Sequence, residues 1–275
     1  MRQLQLEAIG SNAHIADEIA YICSAMLGNT LTITTNTTNK VIPDKEDRTF
    51  FICANTQYAL LKDKIPLERL FMFDLKPTTK FFLDIATIPK GETIYIFNNL
   101  SPYIEQMKED CIAVMGKNYW HFESIAYEEL SQLFIQQKLA KAHYIIGVDQ
   151  FVQDKVLLSS PFVEYLLPDV TIIAGKRTPS IASANYLLEN ICNYYLDNYQ
   201  LQDTGRSIIN LAPIVDMIQS AIENIITNRI NLPANADITH TVKSLKYTFT
   251  YKKETQEIYF KELTYLRDKL HALHI

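Results

Sequence analysis

The sequence predicts an α/β protein of two Rossmann-like lobes with parallel sheets, followed by a mostly helical C-terminal segment. Short apolar, β-prone runs alternate with helix-like stretches as far as residue 200, which is the pattern of repeated strand–helix–strand units. Several runs, such as LFMF and YIIGV, are apolar on both faces, as buried parallel strands must be. Eight such runs within about 175 residues indicate two four-stranded lobes.

The elements are predicted in this order along the chain. Strands are expected at Leu4–Ile9, Leu31–Thr35, Phe50–Ala54, Leu70–Phe73, Thr93–Phe97, His121–Ile125, Tyr144–Val148 and Thr171–Ala174. Helices are expected at Ala13–Leu27, Gln57–Lys62, Thr79–Ile88, Tyr103–Met115, Tyr127–Lys141, Gln153–Leu166 and Ser180–Tyr199. A polar turn at Pro89–Gly91 separates a first lobe, 1–89, from a second, 90–200, whose last helix is long enough to brace lobe one.

Residues 201–275 have a different pattern. Apolar residues at helical spacing predict a helix around 211–230, and LKYTFTY alternates like a strand. Near the C-terminus, the apolar residues Tyr259, Leu263, Leu266, Leu270 and Leu273 are spaced by 4, 3, 4 and 3. That spacing is the seam of a short coiled coil, which would make a homodimer, or the apolar face of a helix packed on its own domain.

The composition is that of an ordinary globular protein. Of the 275 residues, 48% are hydrophobic and 21% are charged, with a net charge of −5. No long basic run occurs, so we expect this chain not to bind nucleic acid by itself. No apolar run is long enough for a membrane span, and the N-terminus has no signal-peptide core. We therefore expect a cytoplasmic location, which disfavours a secreted solute-binding protein.

Neither cofactor nor metal is predicted. The GxGxxG fingerprint and the P-loop pattern are both absent, which disfavours dinucleotide binding and NTP hydrolysis. The histidines His14, His121 and His143 share no metal-ligand spacing. The four cysteines are far apart and form no ligand pair, so buried, unreactive thiols are expected.

One stretch, FICANTQYA, suggests an enzyme. Its Cys53 ends a strand, and Asn55 and Thr56 open a helix whose dipole would stabilise a thiolate. The stretch resembles the strand-end Cys-Asn-Thr of the aspartate/glutamate racemase family, whose members use two facing cysteines. At the equivalent second-lobe position this sequence has Asp149 and Gln150, and an extra Ala54 interrupts the first motif. A racemase- or transferase-like enzyme using Cys53 is the alternative hypothesis.

Ligands of doubly wound sheets bind beyond the carboxyl ends of the strands, so the polar residues there are the candidates. The ligand-binding candidates are Ser11, Asn12, Asn55, Thr56, Asn98, Asn99, Arg177, Thr178 and Ser180. Any of them could instead cap a helix. In the stretch TIIAGKRTPSIASA we expect Thr178 to be the N-cap and Pro179 to lie in the first helical turn. Arg177 would then pair with a carboxylate or phosphate beside the helix start.

The order of these segments resembles a known family. A strand follows the turn IPKGE, a later strand reads YIIGV, and a final strand, TIIAG, leads into a helix start rich in serine. This layout is similar to the N-terminal effector-sensing region of NtrC-class (sigma-54-dependent) bacterial transcriptional regulators, of the propionate-catabolism-activator type. The resemblance covers roughly residues 1–200 and implies a small, anionic effector bound between two lobes. Nucleic acid would be bound only through domains not present in this chain.

Overall fold

The computed structural model describes residues 3–41, 48–153, 156–200, 210–230 and 261–273. Side chains are described for these residues except 199–200 and 226–230. Along the chain the elements are β1 (Gln5–Gly10), α1 (Ala13–Leu27), β2 (Thr32–Thr37), β3 (Thr49–Ala54), α2 (Asn55–Leu61), β4 (Leu70–Phe73), β5 (Leu75–Pro77), α3 (Thr79–Ile85), β6 (Thr93–Asn98), α4 (Ser101–Met115), β7 (His121–Ala126), α5 (Gln132–Leu139), β8 (Tyr144–Val148), α6 (Asp149–Val152), β9 (Thr171–Gly175), β10 (Arg177–Pro179), α7 (Ile181–Gln200), α8 (Ala212–Ile230) and α9 (Lys261–Ala272). Short 3-10 helices lie at Leu67–Arg69 and Phe162–Tyr165.

The predicted α/β class is confirmed. One four-stranded parallel sheet has the order β2-β1-β3-β4, and a second has the order β7-β6-β8-β9. The two sheets therefore have the same strand order, 2-1-3-4, when the strands of each are numbered along the chain. All eight predicted strands are present, with ends shifted by at most two residues. The short strands β5 and β10, which pair with each other, were not predicted.

Each sheet belongs to one compact unit. The first unit contains the chain up to Lys76 together with Thr178–Thr227 and α9. The second contains Pro77–Arg177 and, among the later described residues, the end of α8 from Asn228. The division thus falls after Lys76, whereas the sequence suggested Pro89–Gly91, which lies inside the second unit. The reason is that α3, although it precedes that turn, packs on β9 of the second sheet.

Two helices pack on the sheet that does not contain the strands just before them in the chain. Helix α3 follows the strands of the first sheet but packs on the second, and α7 follows those of the second but packs on the first. In the second unit, a Cβ added at Gly175 would lie 3.0 Å from the Phe81 ring of α3, so a residue without a side chain permits this packing. In the first unit, α7 packs on β4, where Tyr186 contacts Phe71 with ring centroids 5.6 Å apart. The long helix after β9 therefore belongs to the first sheet.

The C-terminal helices complete the first unit. The helix predicted around 211–230 is confirmed as α8, and its apolar face is buried where side chains are described. Helix α9 packs on α7, and Leu263, Leu266 and Leu270 are buried within their own chain. Tyr259 and the strand predicted for LKYTFTY lie outside the described residues.

Two helix predictions were inaccurate. The helix predicted at Gln153–Leu166 is wrong: α6 ends at Val152, and Pro161, which cannot continue a helix, precedes a single 3-10 turn. The helix predicted from Tyr127 begins only at Gln132. Its first residues are diverted because the Tyr127 backbone N–H donates to the Asn98 carbonyl, 3.0 Å away, at the end of the neighbouring strand.

Candidate functional site

The carboxyl edge of the first sheet begins at the turn between β1 and α1. Asn12 is the N-cap of α1, and its side chain accepts a hydrogen bond of 3.1 Å from the Ile15 N–H. Ser11, just before it, is exposed. The turn is so tight that a Cβ added at Gly10 would lie 2.3 Å from the Ala16 nitrogen. Asn12 therefore has a structural role, and Ser11 is the residue that remains accessible.

A polar network that the sequence did not reveal joins three elements at this edge. The Thr38 hydroxyl lies 3.0 Å from the Gly10 carbonyl and 2.9 Å from the side-chain Oε1 of Gln57. Gln57 is buried on α2, whereas its neighbours Asn55 and Thr56 are exposed. A glutamine in a short helix gives no sequence signal of such a role. The network fixes the edge and leaves Asn55 and Thr56 as its outward-facing groups.

The carboxyl edge of the second sheet carries two buried asparagines. Asn98 and Asn99 are each only 2% exposed. The Asn98 Oδ1 accepts from the Asn99 N–H at 2.8 Å, and the Asn99 carbonyl accepts from the Glu128 N–H at 3.1 Å. The Asn99 Oδ1, however, is buried and has no hydrogen-bond partner among the described residues. Such an unpaired group costs about 1–3 kcal/mol, which is typical of a site shaped for something other than stability.

The helix that follows these asparagines is capped by a carboxylate from elsewhere. The N-cap residue Leu100 supplies no side-chain bond, and Pro102 lies in the first turn of α4. Instead, Glu129 accepts from the Ser101 N–H at 3.3 Å and from the Ser101 hydroxyl. The start of α4 therefore already holds an anionic group. Glu129 was missed because its partner is 28 residues away in sequence.

An aromatic cluster forms from rings of β6, the turn after β7 and the 3-10 helix Phe162–Tyr165. Phe97 stacks on Tyr127 with centroids 5.0 Å apart, and Phe162 contacts both rings. Burial, together with the nearby Glu128 charge, raises the pKa of the Tyr127 hydroxyl well above its ordinary value. This hydroxyl is therefore neutral at physiological pH and is not a general base.

The stretch containing Arg177 differs in detail from the prediction. Thr178 and Pro179 belong to β10, so Thr178 is not the N-cap and Pro179 is not in the first helical turn. The cap is Ser180, whose hydroxyl accepts from the Ser183 N–H at 3.3 Å, and α7 begins at Ile181. The extended backbone arises because Ser180 N–H donates to the Asp74 carbonyl at 2.7 Å. Arg177 is half-buried and Thr178 is buried.

The cysteines are as expected from the sequence. Cys23, Cys53, Cys111 and Cys192 are all free and buried. Burial raises the pKa of the Cys53 thiol to about 12, so the helix start that follows it does not produce a thiolate. A nucleophilic or proton-transferring role for Cys53 is therefore disfavoured.

The described residues contain no group of three or more His, Cys, Asp or Glu side chains that could hold a metal ion. None of the helices in those ranges is long and apolar enough to span a membrane. A cleft of about 390 Å³ opens at the amino ends of the second sheet's strands, where His143 Nδ1 lies 3.7 Å from an Asp169 carboxylate oxygen. Both side chains are more than half exposed, and none of the predicted ligand-binding residues lines this cleft.

The fold and its two polar edges define a class of protein, a two-unit α/β protein with parallel sheets and a helical C-terminal segment. Comparison with protein-family models, curated proteins and solved structures found no match to this chain. The function must therefore be argued from the residues themselves.

Proposed function

We propose that this chain is the ligand-sensing module of a bacterial transcriptional regulator and that it binds a small, anionic organic molecule. The proposal places it in the cytoplasm, as a homodimer, with no cofactor and no metal. DNA contact would be made by other domains. Two units with the same strand order support a binding role, because sheets of this kind offer ligand sites at their carboxyl edges.

The anionic part of the ligand is assigned to Arg177, and the observation that carries the ligand site itself is the buried amide pair Asn98–Asn99. It combines a binding-site location with an acceptor, the Asn99 Oδ1, that has no partner among the described residues. The buried, protonated Cys53 favours binding over catalysis. The other candidates, Ser11, Asn55 and Thr56, are exposed at the first sheet's edge.

Arg177 is the proposed anion-binding residue. It is half-buried just beyond the end of β9 and precedes α7 in the chain, and a guanidinium group can form a two-pronged pair with a carboxylate or phosphate. Ligand contacts of this kind regulate only if they are stronger in one conformation than in another. The effector would then shift the population of the signalling state.

A thermal-shift screen of small carboxylic acids on the full chain tests this function. At least one acid should raise the unfolding midpoint in a concentration-dependent way. Arg177→Ala should weaken that ligand by about 10- to 100-fold, corresponding to a charged hydrogen bond of about 1.5–3 kcal/mol. Arg177→Lys should recover part of the loss.

Lys108→Ala is the matched control, since Lys108 is a partly exposed cation paired with Glu105 on α4. It should leave the affinity unchanged. The proposal fails if no acid binds or if a bound acid is turned over into product. If Arg177→Ala binds as tightly as the unaltered chain, this turn has no part in recognition.

A further inference from the structure

The turns that follow β6 and its two neighbours, β7 and β8, carry acidic groups and no basic ones. Strand β6 lies between β7 and β8 in the second sheet, with Asn98 opposite Ala126 and Phe97 opposite Gly147. The residues that follow the three strands read NLSP after β6, YEELS after β7 and DQFVQ after β8. Three carboxylates, Glu128, Glu129 and Asp149, thus follow strands that are one strand spacing, about 5 Å, from β6, whereas Lys176 and Arg177 follow β9, which is two spacings away.

These carboxylates change what the edge can bind. Glu129 already occupies the start of α4 by accepting from the Ser101 N–H and hydroxyl. An incoming anion would find that position filled and would be repelled by the same carboxylate. The end of β6 is therefore unsuited to an anionic group, even though it is a typical position for one.

The unpaired Asn99 Oδ1 at this edge requires a hydrogen-bond donor and not an anion. Oδ1 of Asn99 is an acceptor, and the described residues supply no donor to it. The backbone of Asn99 is held on both sides, because Asn98 Oδ1 accepts from its N–H and the Glu128 N–H donates to its carbonyl, and the residue is only 2% exposed. A ligand group that completes the site must therefore donate a hydrogen bond.

We propose that Asn99 forms a subsite for a hydrogen-bond donor of the effector, best satisfied by an ammonium group. The anionic part of the ligand is then bound elsewhere, and the effector carries a donor and an acid on one small molecule. This inference rests on the proposed sensing function and narrows its ligand class. It reverses the expectation that the amides of Asn98 and Asn99 help to bind the anion.

The stability of the full chain without ligand gives the first test. Asn99→Leu removes the unpaired acceptor and should raise the unfolding midpoint by roughly 2–4 °C. Asn98→Leu is the matched control. It is equally buried, but its amide accepts a backbone hydrogen bond, so the midpoint should fall. A fall in the midpoint for Asn99→Leu as large as that for Asn98→Leu would overturn the inference.

Binding of simple probes gives the second test and does not depend on the variants folding. In the unaltered chain with ¹⁵N-labelled asparagine, methylammonium chloride should shift the Asn99 side-chain amide signal saturably, and acetamide should do so more weakly. Sodium acetate should leave that signal unchanged. If acetate shifts it as strongly as methylammonium, or if neither donor shifts it, no donor subsite exists.

The two proposals can fail separately. If an acid binds through Arg177 but Asn99 does not respond to donors, the sensing function is supported and the Asn99 subsite is refuted. If Asn99 responds to donors but no acid binds at any concentration, the subsite is supported and the anionic effector is refuted.

Discussion

Replacing Leu270 by alanine separates the two interpretations of the C-terminal leucine pattern. Leu270 is 0% exposed within its own chain, on a helix that packs on α7. Truncating a fully buried leucine removes its transfer free energy and leaves a cavity, which together cost about 2–5 kcal/mol. We therefore expect Leu270→Ala to lower the free energy of unfolding by that amount, whatever the protein concentration.

Urea denaturation at several protein concentrations, together with sedimentation of the native chain, is the assay. Tyr265→Ala is the control, because Tyr265 lies on the same helix and is 53% exposed. Its effect should stay within about 0.5 kcal/mol, as for most surface substitutions. The native oligomeric state should be the same for both variants and for the unaltered chain.

The reasoning would be refuted if Leu270→Ala dissociated an oligomer while leaving the stability of the dissociated chain unchanged. That result would mean that the leucine face packs on a partner chain. With Leu263, Leu266 and Leu270 buried within their own chain, a homodimer formed through α9 must use residues outside this leucine face. Deleting residues 255–275 would then cost stability as well as assembly.

Two further predictions concern ionisable groups. Burial, together with the Glu262 charge, raises the pKa of Glu189 above its ordinary value of 4.5. The native state therefore binds a proton more tightly than the unfolded state. The free energy of unfolding should fall as the pH rises from 4.5 through the raised pKa. Glu189→Gln should flatten this dependence in denaturation curves between pH 4 and 8, and an unchanged slope would contradict it. Cys53 should resist iodoacetamide in the native chain at pH 7.5 and react in urea, because its thiol is buried and its pKa is about 12. Rapid native alkylation, with loss of a turnover that Cys53→Ser also abolishes, would instead favour the racemase- or transferase-like enzyme.

The strands were predictable because their signal is local. A run such as Tyr144–Val148 is short, β-branched and apolar on both faces, which favours a strand buried in a parallel sheet over a helix. Helix α1 was equally clear, with Asn12 before it and Gly28 after it. The helix predicted at Gln153–Leu166 has enough apolar residues, but serines and Pro161 interrupt the pattern, and a proline inside a helix removes a backbone hydrogen bond.

The site was only partly predictable, because its important features depend on pairings between distant residues. Sequence reasoning selected Asn98 and Asn99 from their position after a strand. It could not show that one amide oxygen is bonded and the other is not. It also missed Glu129 and Gln57, since a carboxylate or amide on a helix or turn is normally a solvated residue.

The exchange of helices between the two halves of the chain has a consequence for synthesis. All four strands of the second sheet lie within the continuous segment 77–177, so this sheet can form as soon as that segment has emerged from the ribosome. The first sheet is made earlier but must wait for α7, which emerges about 100 residues later, or about 5–20 s at ordinary translation rates. During that interval the face of β4 that α7 will cover, including Phe71, is open to solvent and to chaperones. The nascent chain should therefore complete and cover its second sheet before its first, which is the reverse of their order in the gene.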